Sequence, residues 1–380
     1  MVRITHFQFI LFLLSLLYFN CSSEMQGDFD KWISWNVKDY QKKTILENKL
    51  KVLSATEQGL DLKLRQAESK IVRITVNQNG TADFKTITEA INSIPLNNTR
   101  RYIVSIAPGT YREKITIPKK KPFITFLGDA MDRPTITGND TKGMIGRDGT
   151  ELKTFNTSTV AVEARYFIAI NINFENTARH DNASKEEQGV ALRVSANKTA
   201  FYNCSFYGAQ DTLYDHKGLH YFKNCLIKGT VDFIFGYGRS FYENCHIHST
   251  TKTKSYITAQ RRSKNTSMAS GFSFKNSKVT GSGQTYLGRP WGNYSRVVFS
   301  YTYMDNTILP EGWSDWNHEH RYLNAYYGEY KCSGPGSNLS ERVPWARNLT
   351  DQEAQPFLGT HFIEGNTWLI SPSNSSSTYF

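Results

Sequence analysis

The chain has 380 residues, 39% of them hydrophobic and 13% aromatic, which is ample for a buried core and excludes a low-hydrophobicity disordered protein. Its formal net charge of +11 favours polyanionic partners, namely acidic polysaccharide, anionic membrane or nucleic acid. A soluble protein that is merely basic is the alternative.

The N-terminus has the pattern of a secretory signal peptide over residues 1–23. Arg3 supplies the positive charge, Phe7 to Phe19 is almost wholly apolar, and small residues follow. The apolar run is about 13 residues, shorter than the roughly 20 of a membrane span. We therefore predict a secreted protein, for which nucleic acid is a disfavoured partner. Its net charge would be +10, because the signal contains Arg3 and no acid.

The next segment, residues 24–70, is polar, with apolar positions at helical spacing. It predicts one or two amphipathic helices without a core of their own. The main domain is predicted to begin with a strand over Ile71–Val76. Helical spacing follows from Phe84 to Ile94, with Asp83 as N-cap and Pro95 as stop, and suits a cap over the first coil.

Short strand patterns then follow one another with no long helical pattern between them, which disfavours βαβ units. The predicted strands are Tyr102–Ile106, Lys114–Ile117, Phe123–Leu127, Phe167–Ile170 and Val190–Val194. Beyond about residue 305 the pattern loosens, which predicts loops and a tail along the domain. A Ser-rich end over 371–380 predicts disorder.

An aromatic–x–Asn–Cys element recurs, ending at Cys204, Cys225 and Cys245, with steps of 21 and 20 residues. A period of 20–25 residues is typical of solenoids. We therefore predict an all-β fold, a right-handed parallel β-helix (single-stranded solenoid) with short capping helices. One Asn per coil is expected to form a hydrogen-bonded ladder. A Cys204–Cys225 disulfide is predicted, with a ladder of free thiols as the alternative.

Two acids have equivalent places in this repeat: Asp211 in Gly208–Tyr214, and Asp232 in Val231–Gly236. Stacked strands lie roughly 4.8 Å apart, so their carboxyl groups should be adjacent. Two such groups cannot both ionise easily, which makes them a candidate acid and a candidate base or nucleophile. Gln188 and Gln210 lie 22 residues apart, and their amides can donate hydrogen bonds to a developing oxyanion.

Downstream, Leu287–Trp291 places Arg289 beside Trp291. The arginine can hold a carboxylate ionised, and the indole can stack on a sugar ring. The pairs His246-x-His248 and His318-x-His320 each offer two metal ligands, but no third ligand is evident.

Residues 71–370 resemble the plant-type pectin methylesterases (pectinesterases, carbohydrate esterase family 8). The resemblance rests on five motifs in family order: Gly109–Glu113, Gln188–Leu192, Gln210–Leu213, Asp232–Gly236 and Leu287–Trp291. Two departures are Gly189 in place of Ala, and Tyr237-Gly238 in place of Asn-Ala. No inhibitor-like pro-domain is expected, because only residues 24–70 precede the domain.

The resemblance implies hydrolysis of galacturonate methyl esters in homogalacturonan, without metal or cofactor. Asp232 would be the nucleophile, Asp211 the acid and base, and Arg289 the group that orients Asp232. Gln188 and Gln210 would stabilise the oxyanion. The residues implied to contact sugars are Tyr214, Phe235, Trp291 and Trp313.

The implied partners are methyl-esterified homogalacturonan and a separate pectinesterase inhibitor protein. The protein is expected to be a monomer of the extracellular cell wall, without stable membrane insertion. The alternatives are another β-helix enzyme that cleaves the pectin backbone, and a catalytically inactive pectin-binding wall protein. A serine esterase is disfavoured, because no Gly-x-Ser-x-Gly occurs.

Overall fold

The computed structural model describes residues 59–178, 187–264, 268–318 and 321–370. The predicted signal peptide, the Ser-rich tail and residues 24–58 of the segment 24–70 for which amphipathic helices are predicted lie outside the described residues. The described part of the chain forms 26 strands, numbered β1 to β26 in chain order, in three parallel sheets.

Sheet A has eleven strands: β1 Ile71–Val76, β2 Arg101–Ile106, β5 Ile124–Gly128, β8 Ile168–Ile170, β11 Thr199–Tyr202, β14 Leu219–Lys223, β17 Arg239–Glu243, β20 Gly271–Lys275, β23 Arg296–Ser300, β25 Tyr326–Tyr330 and β26 Arg347–Asn348. Sheet B has eight: β3 Thr110–Arg112, β6 Thr135–Gly138, β9 Asn173–Asn176, β12 Ser205–Tyr207, β15 Leu226–Gly229, β18 His246–Ser249, β21 Lys278–Gly281 and β24 Tyr303–Met304. Sheet C has seven: β4 Ile115–Ile117, β7 Val160–Val162, β10 Leu192–Val194, β13 Leu213–Asp215, β16 Ile234–Gly236, β19 Lys254–Gln260 and β22 Gln284–Pro290.

Each complete coil, from β2–β4 to β20–β22, contributes one strand to each sheet, and equivalent strands of successive coils pair in parallel. The pairing of Phe201 with Phe222, and of Phe222 with Tyr242, reproduces the steps of 21 and 20 residues read from the sequence. The predicted parallel β-helix is therefore confirmed, and its coil is right-handed, as parallel crossovers nearly always are.

The described α-helices are short: α1 Leu62–Glu68, α2 Ile87–Ser93, α3 Lys153–Asn156 and α4 Asp351–Ala354. Five 3₁₀ turns accompany them at Tyr322–Asn324, Pro335–Ser337, Gln355–Phe357, Thr360–Ile363 and Gly365–Thr367. Over the described ranges, no helix has the length and apolar character needed to cross a bilayer.

Helix α2 covers the first coil, as predicted, but its N-cap is Thr86 and not Asp83. Thr86 forms a capping box with Glu89. Asp83 instead accepts hydrogen bonds from the backbone N–H and the hydroxyl of Thr75, at 2.8 Å each. The Gly109–Glu113 motif proves to be structural here, because Glu113 accepts the backbone N–H of Ile87.

The recurring aromatic residue forms a ladder inside the coil. The rings of Phe201, Phe222, Tyr242, Phe274 and Phe299 stack in succession at 4.9, 4.6, 4.5 and 4.4 Å between centroids. Such side chains, stacked along the coil axis, bury a large apolar area and favour a single register of the coils.

The recurring Asn occupies a left-handed turn between sheets A and B. Five of these residues have φ between 50° and 58°, namely Asn171, Asn203, Asn224, Asn244 and Asn276. Asn tolerates this conformation better than most residues. The predicted amide ladder forms at one step, where Asn203 donates to Asn171 at 2.7 Å. The Asn203 carboxamide oxygen is also occupied, since it accepts from Arg133.

The predicted Cys204–Cys225 disulfide is wrong for this structure, in which both are buried free thiols. The Cys204 Sγ lies 3.4 Å from the Tyr202 carbonyl, and the Cys225 Sγ lies 3.5 Å from the Phe201 carbonyl. Each thiol therefore points at a backbone carbonyl, which for Cys225 is that of Phe201 on the preceding coil. Burial raises the pKa of both thiols well above its usual value.

Strands β25 and β26 continue sheet A beyond residue 305, where the sequence pattern loosens. The chain then lies along the outer face of sheet A, as expected for the tail. Phe357, Phe362 and Trp368 are buried there among residues such as Tyr221 and Phe241. This segment covers the outer face of sheet A.

Candidate active site

Asp211 and Asp232 lie two residues before neighbouring strands of sheet C. The pairing of Leu213 with Ile234 puts both acids at the same level of consecutive coils. They are 9% and 5% exposed, so each carboxyl has only a small opening to the solvent. The juxtaposition expected from the 21-residue step is therefore present in the fold.

Both acids have a left-handed backbone, with φ of 65° for Asp211 and 49° for Asp232. Such backbones cost roughly 1–3 kcal/mol and cluster at functional sites. The strain is held by the coil, since Asp211 N–H donates to the Val231 carbonyl at 3.1 Å and Asp232 N–H to the Tyr256 carbonyl at 2.8 Å.

Arg289 holds the Asp232 carboxylate with two parallel hydrogen bonds. Its Nε donates to Oδ1 at 2.9 Å and its Nη2 to Oδ2 at 2.6 Å. Phe235, Ala259 and Arg289 are in register on successive coils, and the small Ala259 leaves room for the guanidinium to reach back. This bidentate geometry fixes the orientation of the carboxylate.

The Arg289 guanidinium is itself held between two aromatic rings. Its Cζ lies 3.9 Å from the centroid of Tyr256 and 3.8 Å from that of Trp316. Stacking on both faces leaves the guanidinium edge to face Asp232. Neither ring was identified from the sequence. The sequence signal that could have identified Tyr256 is its position, which is in register with Asp232 one coil further along the chain.

The surroundings of the two acids affect their pKa values differently. Burial, and then the charge of Asp232, raise the pKa of Asp211 well above its usual value. Burial also raises the pKa of Asp232, but the hydrogen bonds and charge of Arg289 oppose that rise. The pair therefore holds its proton on Asp211 and its negative charge on Asp232.

Gln210 directly precedes Asp211 on the same coil, and Gln188 lies at the same level on the preceding coil. The backbone N–H of Gly189 donates to the Gln210 carbonyl at 3.2 Å, which ties the segments together. Both side chains are half-buried. The Gln188 Oε1 is buried and has no hydrogen-bond partner among the described residues.

Three of the four predicted sugar contacts form one aromatic row on sheet C. Tyr214 stacks on Phe235 at 4.3 Å, and Phe235 lies 6.1 Å from Trp291. Trp291 is half-buried, whereas Tyr214 and Phe235 are 6% and 4% exposed. The half-exposed Phe155 packs edge-on against Tyr214. Trp291 therefore has the largest open surface of the three.

The expectation for Trp313 is wrong. Trp313 is 1% exposed, stacks on Tyr327 at 4.4 Å and donates its indole N–H to Glu329 at 3.1 Å. Its bridge to Gly288 continues sheet C with the side chain turned into the core. Trp316, three residues later, lies over the Arg289 guanidinium, with 3.8 Å between Cζ and the ring centroid.

The histidine pairs do not assemble a metal centre in the described part of the chain. His246 and His248 both contact the Thr280 hydroxyl, at 2.7 and 2.8 Å. His320 lies outside the described residues. Over those residues, no group of three His, Cys, Asp or Glu side chains is placed to hold a metal ion.

A buried, arginine-held carboxylate lies beside a carboxyl whose pKa is raised, next to an aromatic row on a parallel β-helix. This arrangement has the chemistry expected of a hydrolase that acts on carbohydrate. The family model for pectinesterase matches residues 73–366. The chain belongs to the pectinesterase family.

Relatives and solved structures agree with this assignment. Pectinesterase QRT1 of Arabidopsis thaliana is 44% identical over 298 residues, which are 78% of this chain and 78% of that protein. Probable pectinesterase 50 of the same plant is 41% identical over 350 residues, 92% of this chain and 91% of that protein. The structure of pectin methylesterase from carrot is 37% identical, with a TM-score of 0.72, and the match covers 78% of this chain and 94% of that one.

The stacking of Arg289 predicts a kinetic role for Trp316. In Trp316→Ala the guanidinium loses one aromatic face, worth about 1–2 kcal/mol, so kcat/KM should fall roughly tenfold. Trp313→Phe is the matched control, since it removes a core hydrogen bond. We expect that control to lower the melting temperature but leave kcat/KM within about twofold. A loss of kcat/KM in Trp313→Phe, with kcat/KM unchanged in Trp316→Ala, would instead place Trp313 at the site.

Proposed function

We propose that this protein hydrolyses the methyl esters of galacturonate residues in homogalacturonan to pectate and methanol, with Asp232 as nucleophile. The observation that carries the proposal is the bidentate Arg289–Asp232 pair beside Asp211, whose pKa is raised well above its usual value. One group stays a carboxylate that can attack, and its neighbour keeps a proton that can be donated.

In the first step, an Asp232 oxygen attacks the ester carbonyl, and the carbonyl oxygen takes up the negative charge. The amides of Gln188 and Gln210 donate hydrogen bonds to it. As the bond to the methoxy group breaks, Asp211 transfers its proton to the leaving oxygen. Methanol departs and leaves an anhydride between Asp232 and the galacturonate carboxyl.

In the second step, the Asp211 carboxylate takes a proton from water. The resulting hydroxide attacks the galacturonate carbonyl of the anhydride, and Asp232 leaves as a carboxylate. Asp211 is again protonated, Arg289 again holds Asp232, and the product is the free galacturonic acid, which loses its proton to the solvent. The cycle therefore consumes one water per ester and restores both acids.

The substrate assignment has support from a solved relative. Pectin methylesterase in complex with a hexasaccharide is 27% identical, with a TM-score of 0.66, and the match covers 78% of this chain and 98% of that one. We further propose that the protein is secreted to the cell wall, acts as a monomer and is open to a separate inhibitor protein. The apolar N-terminal run and the basic composition support the first of these.

The test is methanol release from highly methylated pectin without added metal, measured beside the appearance of new chain ends. We expect methanol to rise while chain ends stay constant. New chain ends without methanol would identify a backbone-cleaving enzyme instead. Pectin binding with neither product would identify an inactive binding protein.

A further inference from the structure

Three arginines occupy the corner where the chain passes from sheet C to sheet A. Arg239 and Arg296 are the first residues of β17 and β23, and Arg262 follows β19 by two residues. Arg239 pairs with Gly271, and the next pair, Phe272 with Val297, puts Arg296 beside Gly271 on the following coil. Arg262 lies in the corner that leads into the strand of Gly271, so the three side chains start from one small area.

Local contacts bring these side chains together. A Cβ at Gly271 would lie 3.0–3.1 Å from the side-chain carbons of Arg296, so the Arg296 side chain covers Gly271 in the space between β23 and β17. The buried Gln260 Oε1 accepts the backbone N–H of Arg262 at 3.0 Å and of Arg296 at 3.1 Å. One amide oxygen thereby fixes two of the three arginines.

The charge of the cluster is poorly balanced. The Nε atoms of Arg239, Arg262 and Arg296 are buried and have no hydrogen-bond partner within the described ranges. In those ranges the one carboxylate that pairs with the cluster is Glu364, which is 3.4 Å from Arg239 and 55% exposed. Burial, together with Arg262 and Arg239, lowers the pKa of Arg296 to about 10. Neighbouring cations whose one carboxylate partner in those ranges is itself exposed are suited to an oxyanion.

We propose that Arg239, Arg262 and Arg296 form a second site, separate from the acid pair, that binds the free carboxylates of unesterified galacturonan. The choice of polymer rests on the proposed function. Arg261 extends the basic surface toward the aromatic row, because its guanidinium lies 4.5 Å from the Trp291 ring. A polymer bound at this corner would stay attached through stretches that are already de-esterified, which favours removal of neighbouring esters in blocks.

The first experiment measures binding of an unesterified galacturonate oligomer by calorimetry, to wild type, Arg262→Gln and Arg296→Gln. A charge-assisted hydrogen bond contributes about 1.5 kcal/mol or more, so each variant should bind roughly tenfold more weakly. Arg65→Gln in α1 removes the same charge from an exposed position and should bind like wild type. Equal affinity in all four proteins would overturn the proposal.

Two further probes identify the source of the oxyanion. A fully methyl-esterified oligomer, which lacks free carboxylates, should bind Asp232→Asn and Asp232→Asn/Arg262→Gln equally. Inorganic sulfate should stabilise wild type only weakly against heat. Sulfate stabilisation as large as that by the oligomer, and lost in Arg262→Gln, would assign the corner to a small free anion and overturn the polymer assignment.

Unliganded melting temperatures separate binding from folding. Arg262→Gln removes one of three neighbouring cations, so in low salt it should melt no lower than wild type. A large drop in melting temperature would show that the arginines are structural and would count against the site. Failure of the proposed function is seen independently, as absence of methanol release by wild type while the arginine-dependent binding persists.

Discussion

Asp232→Asn should abolish methanol release, with a loss of at least about 10⁴-fold in kcat, while the coil stays folded. Loss of a catalytic nucleophile in hydrolases has effects of this size or larger. The Asn amide retains the shape of the carboxylate but has no charged oxygen to attack the ester. Arg289 keeps its stacking between Tyr256 and Trp316, so the surroundings should change little.

The measurement is single-turnover and steady-state methanol release at matched protein concentrations, with circular dichroism as the check on folding. Asp132→Asn is the matched control, because it makes the same change at an exposed turn and should leave the rate unchanged. Near-normal turnover by Asp232→Asn would remove Asp232 from the nucleophile role. Restored activity in the double variant Asp232→Asn/Arg289→Ala would contradict the role of Arg289 in orienting the Asp232 carboxylate.

Asp211→Asn should also abolish turnover, and it should stabilise the protein in a pH-dependent way. Burial and the Asp232 charge raise the folded-state pKa of Asp211, whereas an unfolded Asp titrates near 3.9. The native state therefore binds this proton more tightly. The stability contributed by the protonated form is complete below about pH 3.9 and is lost as pH rises through the raised pKa.

Asn keeps the volume of the side chain and has no charge to bury. The melting temperature of the variant minus that of wild type should therefore be close to zero near pH 3.9 and should increase as the pH rises. Each pKa unit of the shift contributes about 1.4 kcal/mol. Asp132→Asn should show a flat difference over the same range. A flat difference for Asp211→Asn, or one that shrinks as pH rises, would contradict the assignment of the proton to Asp211.

The architecture and the acid pair were predictable because they depend on local, periodic features. One coil is a short stretch of chain, so a period near 21 residues directly predicts which residues stack. The ladder from Phe201 to Tyr242 and the adjacency of Asp211 and Asp232 follow from that step. The residues that surround the acids come from the same few coils, which is why five motifs indicated the family.

Other features depend on the direction of individual side chains, which periodicity does not encode. Trp313 and Trp316 lie three residues apart, yet one is in the core and the other is on Arg289. Cys204 and Cys225 are at equivalent positions, but each thiol points at a carbonyl.

The cluster of Arg239, Arg262 and Arg296 could also not be predicted from the repeat pattern. Arg239, Arg262 and Arg296 are separated by 23 and 34 residues, because the coils around them differ in length. They meet because Gly271 has no side chain and Gln260 accepts two backbone N–H groups. Repeat spacing therefore determined the coil and the adjacency of the two acids. Close packing between coils decided which side chains share a site, because that depends on the volume and direction of every neighbour.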